Sequence, residues 1–319
     1  MIWLIGSKGM LGSEIARILT QKNIPWIGSN SEVDITDANA LNNFADSNDT
    51  SARQTGKSVS SGRVPGKITW VINCAAYTNV DKAEEEKELA MKVNGEGALN
   101  IARTTRRIGA KLIHISTDFI FDGAKKSPYT EEDIPCPLNS YGKSKAYGEE
   151  CVTSEITRYY LIRSGWLYGF NGKNFVYTMT NLMKNNPSVK VVNDQTGTPT
   201  SCINLAAFIY KIIETSDKAA GLFGKKSALP YGIYNFSDGG ECSWFDFANE
   251  IYRIGKKHSL IQNDCEVKPC TSLEFESIAE RPSYSVLDKS LIQKELSIKL
   301  PSWQDSLEQF MKDKRFSCN

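Results

Sequence analysis

Short apolar runs alternate with longer stretches of helical period through the first half of this chain. Ile2-Trp3-Leu4-Ile5 is the first run, and Ile15, Ile18 and Leu19 mark the buried face of the helix expected after it. Pro25-Trp26-Ile27, Trp70-Val71-Ile72, Lys111-Leu112-Ile113-His114-Ile115 and Tyr159-Tyr160-Leu161-Ile162 follow, each too apolar to alternate in and out. Strands of that kind are buried on both faces, which predicts an α/β fold with a parallel sheet covered on either side by helices. Helix is expected from near Ala38, and from Asp81 to Arg107 with one interruption around Asn94-Gly95. Residues 46 to 67 break the rhythm. Ser, Thr, Gly, Asp and Lys dominate there, and the stretch reads as a long surface loop inserted in the fold.

The texture changes after Arg163. Asn171 to Phe175 is loop-like and Val176 to Met183 helical. Lys190-Val191-Val192 reads as a further strand of the main sheet, and Ile203 to Ile213 as an apolar helix packed back on it. Ile233-Tyr234-Asn235-Phe236 is one more strand. Trp244 to Ile254, Leu273 to Ala279 and Trp303 to Met311 supply helices for a smaller lobe. The expected division is residues 1–165 for a nucleotide-binding domain and 166–319 mainly for a substrate-binding lobe. Segments near 189–215 and 232–238 return to the first.

The turn after the first strand carries the first chemistry. Gly6-Ser7-Lys8-Gly9-Met10-Leu11-Gly12 lies between strand and helix, where a dinucleotide fingerprint belongs. Gly6 permits the tight turn, Gly9 lets backbone approach a pyrophosphate, and Gly12 lets the helix pack close to the strand. Amides at the helix start then favour the phosphates. The second strand ends in Gly28-Ser29-Asn30-Ser31, without the carboxylate that selects NAD. NADPH therefore fits at least as well as NADH. Asp34-Ile35 comes later and lines an adenine pocket, or else Asp34 or Thr36 caps the helix near Ala38.

A second constellation is Ser116-Thr117-Asp118 at a strand end, followed by Tyr141-Gly142-Lys143-Ser144-Lys145. Tyr141 and Lys145 stand four apart, on one face of a helix. A phenol and an ammonium so placed are the parts of a proton donor for carbonyl reduction. A cation ~4 Å away at an effective dielectric of ~20 favours the phenolate by up to ~4 kcal/mol, bringing the phenol roughly two to three units toward neutrality. Thr117 could hold the same carbonyl oxygen. A second copy of the spacing, Tyr252 to Lys256, reads as the basic end of a surface helix.

Composition narrows the alternatives. At 319 residues and net charge +1, nothing supports a nucleic-acid or membrane-surface partner. Eight cysteines without C-x-x-C pairs and only two histidines, His114 and His258, argue against a zinc site; no metal ligands are assigned. Reduced, mostly buried cysteines fit a cytosolic protein, and the apolar N-terminus is a strand rather than a signal peptide. No run reaches transmembrane length.

With the glycine loop, Asn73-Cys74-Ala75-Ala76, Ser116-Thr117-Asp118 and Tyr141-x-x-x-Lys145 in order, the chain resembles the extended short-chain dehydrogenase/reductases. Among them it resembles the dTDP-4-dehydrorhamnose reductases, nearly end to end. Asn73 to Glu84, Ser116 to Gly123, Arg163 to Gly169, Asn193 to Thr200 and Arg281-Pro282 carry that resemblance, and the insertion lies outside it. The resemblance implies a Rossmann-type doubly wound sheet with a smaller C-terminal α/β lobe. The implied activity is NADPH-dependent reduction of the C4 carbonyl of dTDP-4-dehydro-β-L-rhamnose, with NADH as the alternative cofactor. It implies that Gly9, Met10 and Leu11 contact the pyrophosphate, that Asp34 and Ile35 lie by the adenine, and that Ala75, Ala76, Tyr77 and Thr78 flank the cofactor. Tyr141 would donate the proton, Lys145 would hold the nicotinamide ribose, and Thr117 would complete the triad. Asp118 and Trp166 would contact the substrate. Trp166 in the core and Asp118 capping a turn are the bland alternatives. Some reductases of this kind are homodimers with Mg2+ at the interface, an implication at family level only.

Phe119 stands where the family usually has Tyr, which removes a hydroxyl contact near the sugar. It also stands where related 4,6-dehydratases have Glu, so elimination lacks its base. Epimerases share the Tyr and Lys. A homologous group serves as the non-catalytic regulatory subunit of methionine adenosyltransferase, which keeps a binding role open.

Overall fold

The computed structural model describes residues 1–48, 66–220 and 229–318. The chain starts as β1 (Ile2–Ile5), α1 (Met10–Gln21), β2 (Trp26–Ser29) and α2 (Ala38–Asn48), then resumes with β3 (Trp70–Asn73). Asp46 to Asn48, expected as loop, are the last turn of α2. The rest of the expected insertion lies almost wholly outside the described residues. Next come α3 (Lys82–Glu85), α4 (Lys87–Met91), a π-helical turn at Lys92–Glu96, and α5 (Gly97–Arg107). The interruption expected at Asn94-Gly95 is that π turn, joined by a second break at Glu86. β4 (Lys111–Thr117), α6 (Ser140–Glu155) and β5 (Tyr159–Ser164) complete the first half.

The second half contains β6 (Leu167–Tyr168), α7 (Phe175–Asn185), β7 (Ser188–Val192), β8 (Thr196–Gly197), β9 (Thr200–Ser201) and α8 (Cys202–Ala220). It ends with β10 (Gly232–Asn235), β11 (Cys242–Ser243), α9 (Trp244–Lys257), β12 (Glu266–Cys270), α10 (Ser290–Leu296) and α11 (Trp303–Lys312).

Six strands form one parallel sheet in the order β10-β5-β4-β3-β1-β2. Chain order reverses between β1 and β3, so the crevice at their carboxyl ends is where a doubly wound sheet takes its ligand. One face of the sheet packs Ile72, Ile113, Tyr160 and Ile162 against Ile15, Leu19, Leu205 and Ile209 of α1 and α8. The other packs Trp3, Val71 and Leu112 against Leu41, Ile101 and Val152 of α2, α5 and α6. A third core joins Met179, Ile251, Trp303 and Phe310 of α7, α9 and α11.

Two expectations fail. Lys190 to Val192 do not join the main sheet; β7 pairs in parallel with β12 as a separate ribbon. Leu273 to Ala279 are turns, not a helix. Leu273, Phe275 and Ile278 are exposed, so no helical face is buried there. Side-chain bonds pin the ends of that stretch instead. Ser272 Oγ and N donate to Asp194, and Ala279 N donates to Asp81 Oδ1. The cap of α2 also differs: Asp37 Oδ1 accepts from Asn39 N, while Asp34 closes an Asx turn with Thr36. Tyr252 and Lys256 are structural, as expected. The phenol accepts from Cys265 N, and the ammonium holds Asp264. Seven cysteines are free among the described residues.

Candidate active site

At the β1–α1 turn Gly6 has φ +78°, and a Cβ there would sit 2.9 Å from Ala75 N. A Cβ on Gly12 would lie 2.1 Å from Gly6 O, so only glycine lets α1 come this close to the strand end. Gly9 caps α1 with no side-chain bond, and the first-turn amides have no helical partner of their own. Leu11 is buried in the core, so Met10 and Leu11 offer backbone rather than side chains to a ligand. This cradle at the β1/β3 crevice fits a pyrophosphate.

Asn30, at the end of β2, is folded over the loop. Its Oδ1 accepts from Lys8 N at 2.8 Å and its Nδ2 donates to Ser7 Oγ at 3.1 Å. Glu32 Oε1 accepts from Asn30 N at 2.7 Å, and backbone hydrogen bonds, its own first, hold this carboxyl below the usual range. A carboxylate therefore does stand near the end of the second strand, one residue beyond the Gly28-Ser29-Asn30-Ser31 stretch. Asp34 is exposed with its carboxylate occupied by Thr36, and Ile35 packs its side chain against Gly97.

After β3, Asn73 Oδ1 accepts from Ala75 N at 3.0 Å. Asn94 of the π turn takes Tyr77 N at 2.8 Å and donates to Tyr77 O at 3.0 Å and Ser144 Oγ at 2.9 Å. Asn94 thus fixes Ala75 to Thr78 as a wall of the crevice and ties that wall to α6. Sequence reasoning saw the helix break but not this role. Tyr77's hydroxyl is committed to Glu86.

The start of α6 is tightly held. Asn139 caps it by accepting from Gly142 N at 2.8 Å, and Ser140 donates to Glu84 through both N and Oγ. A Cβ on Gly142 would stand 2.2 Å from Phe119 O, so glycine lets the helix abut the end of β4. These contacts bring Tyr141, Lys145 and Thr117 together. Tyr141 is half-buried, its ring edge-on to Phe119 at 5.9 Å. Burial pushes its phenol up to about 12, against hydrogen bonding to Thr117, which lowers it. Lys145 is fully buried and donates to Ile115 O at 2.7 Å; burial brings it down to about 8. The expected lowering of the phenol by the cation is not what this state shows. Desolvation outweighs any attraction, and the ammonium is spent on a backbone carbonyl. Tyr141 is consequently a neutral phenol, the form that can donate a proton.

Thr117 Oγ1 accepts from Phe119 N and lies 3.2 Å from Asp118 Oδ1. Asp118 is buried against Gly165, and its Oδ2 accepts from Ser285 Oγ at 2.6 Å. Burial raises this carboxyl to about 6. Each of its oxygens thus has a partner within the chain. Trp166 has φ +51° and stacks on Trp244 with centroids 3.5 Å apart. Gly197 presses on its indole edge so closely that a Cβ would lie 2.4 Å away. A strained, half-buried aromatic held this way is part of a built surface.

The last wall comes from far along the chain. Arg281 Nη2 donates to Asp81 Oδ2 at 2.8 Å, Asn139 Nδ2 donates to Glu280 O, and Pro282-Ser283 pack on Gly123. A separate hollow of about 960 Å3, lined by Phe170, Lys173, Tyr177 and neighbours, touches none of these residues. No cluster of three His, Cys, Asp or Glu able to hold a metal occurs among the described residues. No described helix is long and apolar enough to cross a membrane.

The family model described as RmlD substrate binding domain matches residues 1–316. A dTDP-4-dehydrorhamnose reductase of Aggregatibacter actinomycetemcomitans is 33% identical over 307 residues, covering 96% of each chain. The crystal structure of a dTDP-4-dehydrorhamnose reductase from Clostridium acetobutylicum matches with TM-score 0.83 at 38% identity, covering 97% of this chain and 98% of that one. A Bacillus anthracis dTDP-4-dehydrorhamnose reductase, solved in complex with NADP, matches with TM-score 0.82 at 33% identity, over 97% of this chain and 98% of its own.

Proposed function

This chain belongs to the RmlD substrate-binding domain family, and from that membership and the site we propose that it is an NADPH-dependent reductase of dTDP-4-dehydro-β-L-rhamnose. The observation that carries the reading is geometric: Tyr141 and the buried Lys145 lie one turn apart on α6, at the end of β4 and next to the glycine cradle. Gly6, Gly9 and Gly12, with the first-turn amides of α1, would hold the pyrophosphate; Ala75 to Thr78 would flank the rest of the dinucleotide. When bound, the reduced nicotinamide supplies a hydride to the sugar's C4. Tyr141 gives its proton to the C4 oxygen as negative charge grows there, and Thr117 orients that oxygen. Lys145 holds the ribose and offsets the charge left on Tyr141. Trp166 and Trp244 form the aromatic wall on the nucleotide-sugar side. Glu32 at the end of β2 makes NADH the alternative donor to test alongside NADPH.

The experiment is to incubate the purified full chain with the keto-sugar nucleotide and NADPH, or NADH, and follow the absorbance of the reduced cofactor. Turnover is expected. Tyr141→Phe should lower kcat by about 10²–10⁴-fold while cofactor binding survives. Cofactor binding without turnover in the wild-type chain would favour the non-catalytic role over catalysis.

A further inference from the structure

The face of α6 that carries Tyr141 and Lys145 continues to Glu149, one further turn along. Lys145 and Glu149 are 2% and 4% exposed, and Arg163 of β5, opposite, is 2% exposed. The carboxylate is gripped at both oxygens: Arg163 Nε donates to Oε1 at 3.1 Å and Nη2 to Oε2 at 2.8 Å. Arg163 is itself steadied by Nη1 donating to Glu131 O, with its guanidinium over the Phe121 ring. A buried ion pair is a poor way to gain stability, since apolar side chains of similar volume often do as well or better. Its placement beside the catalytic ammonium suggests another role.

We propose that the Glu149–Arg163 pair is a positioning device for Lys145: the carboxylate keeps the lysine cationic inside the fold, and the arginine fixes the carboxylate. The inference rests on the reading of Lys145 as a working cation. The groups around Lys145 single out Glu149. Tyr141, on the same helix, is a neutral phenol. Cys74, beyond β3, is pushed up to about 12 by burial and is uncharged. His114, on β4, is driven well below its ordinary value by burial and is also uncharged. Asp118, at the end of β4, is held by Ser285 and Thr117 and is not among the groups that act on Lys145. Glu149 is thus the anion that opposes desolvation of Lys145, as the lysine's own balance of burial and attraction indicates.

The test uses the full chain, with lysine side chains labelled with 13C and Lys145 assigned by its loss in Lys145→Met. Titration without any ligand reads the lysine directly, independent of whether the sugar nucleotide is the true substrate. Glu149→Gln should lower the Lys145 titration by about one unit. The alkaline fall in kcat/KM should move down by the same interval. Arg163→Lys, which keeps the charge, should leave both near wild type. If Glu149→Gln does not fold, the double variant Glu149→Leu with Arg163→Met removes both charges. The titration should still fall, because of the two charges it is the carboxylate that acts on Lys145. An unchanged Lys145 titration in a folded Glu149 variant would overturn the proposal and reduce the pair to packing. Absence of keto-sugar turnover with the shift intact would overturn only the substrate reading.

Discussion

Tyr141 and Lys145 sit where helical spacing puts them, yet their ionisation follows burial, which spacing does not encode. The phenol at about 12 stays protonated through any working pH, so the alkaline limit of the reaction belongs to Lys145 at about 8. The lysine's folded value lies below its ordinary 10.5, so its charge is lost as pH rises through about 8, earlier than in the unfolded chain. The rate of reduction at saturating cofactor should hold up to about pH 8 and decline above it. A profile flat to pH 10 would mean that bound cofactor restores the lysine's ordinary value. Trp166 poses a different question. Its contact with Trp244 and Gly197 makes it part of the lobe's packing, and its half-exposed edge makes it available to a ligand. Trp166→Ala should weaken sugar-nucleotide binding and leave NADPH affinity unchanged. Full truncation of a core aromatic costs ~3–5 kcal/mol, so a melting point measured alongside both affinities separates the two contributions. Equal losses for both ligands with a large drop in Tm would assign Trp166 to the core alone.

Among the elements, α6 carries the chemistry and its N-terminus sets the aim. Asn139 accepts from Gly142 N as the cap and donates to Glu280 O, Ser140 donates to Glu84, and Gly142 abuts the backbone at Phe119. Asn139→Ala removes a cap worth ~1 kcal/mol and frees Glu280 O. It should lower Tm modestly and lower kcat more than KM, because Tyr141 is two residues away. Gly142→Ala should be far worse, since the new Cβ would meet Phe119 O and the helix would have to withdraw. Recovery of wild-type kcat in Gly142→Ala would mean that α6 can shift without cost to the site. The elements that sequence made legible are those with local signals. The apolar runs became all six strands of the main sheet, and the glycine spacing marked the β1–α1 turn. What misled were signals whose partners are distant. Val191 and Val192 look like main-sheet residues until β12 is seen to pair with β7. Leu273, Phe275 and Ile278 imitate a helical face, but the bonds that shape the segment come from Asp194 and Asp81.

At the scale of the whole molecule, the site is closed by contacts between residues far apart in sequence. Asp81 follows β3, and Arg281 lies 200 residues later, yet the two meet at 2.8 Å. Asp118 reaches Ser285, and Gly123 receives Pro282 and Ser283. None of these pairings could be read from motif order, although both ends of each lie in or beside segments that carried the family resemblance. Hydrogen bonding to Arg281 is the largest influence holding Asp81 below the usual carboxylate range. Its folded value is depressed from the ordinary 3.8, so the latch is intact above that value and is lost only as pH falls below it. Asp81 is 41% exposed on its side chain, so solvent screens the pair and its contribution to global stability is small, of the order of an exposed ion pair. Its effect on position is not discounted in the same way, because Asp81 also takes Ala279 N and so fixes the segment entering the site. Asp81→Asn should therefore leave Tm nearly unchanged and raise KM for the keto-sugar nucleotide severalfold, with KM for NADPH little affected. Steady-state kinetics with each substrate varied in turn, beside a melting curve, checks this. A fall in Tm that accounts for the lost activity, or an equal rise in both KM values, would show that the Asp81–Arg281 contact holds the fold and does not shape the sugar side of the cleft.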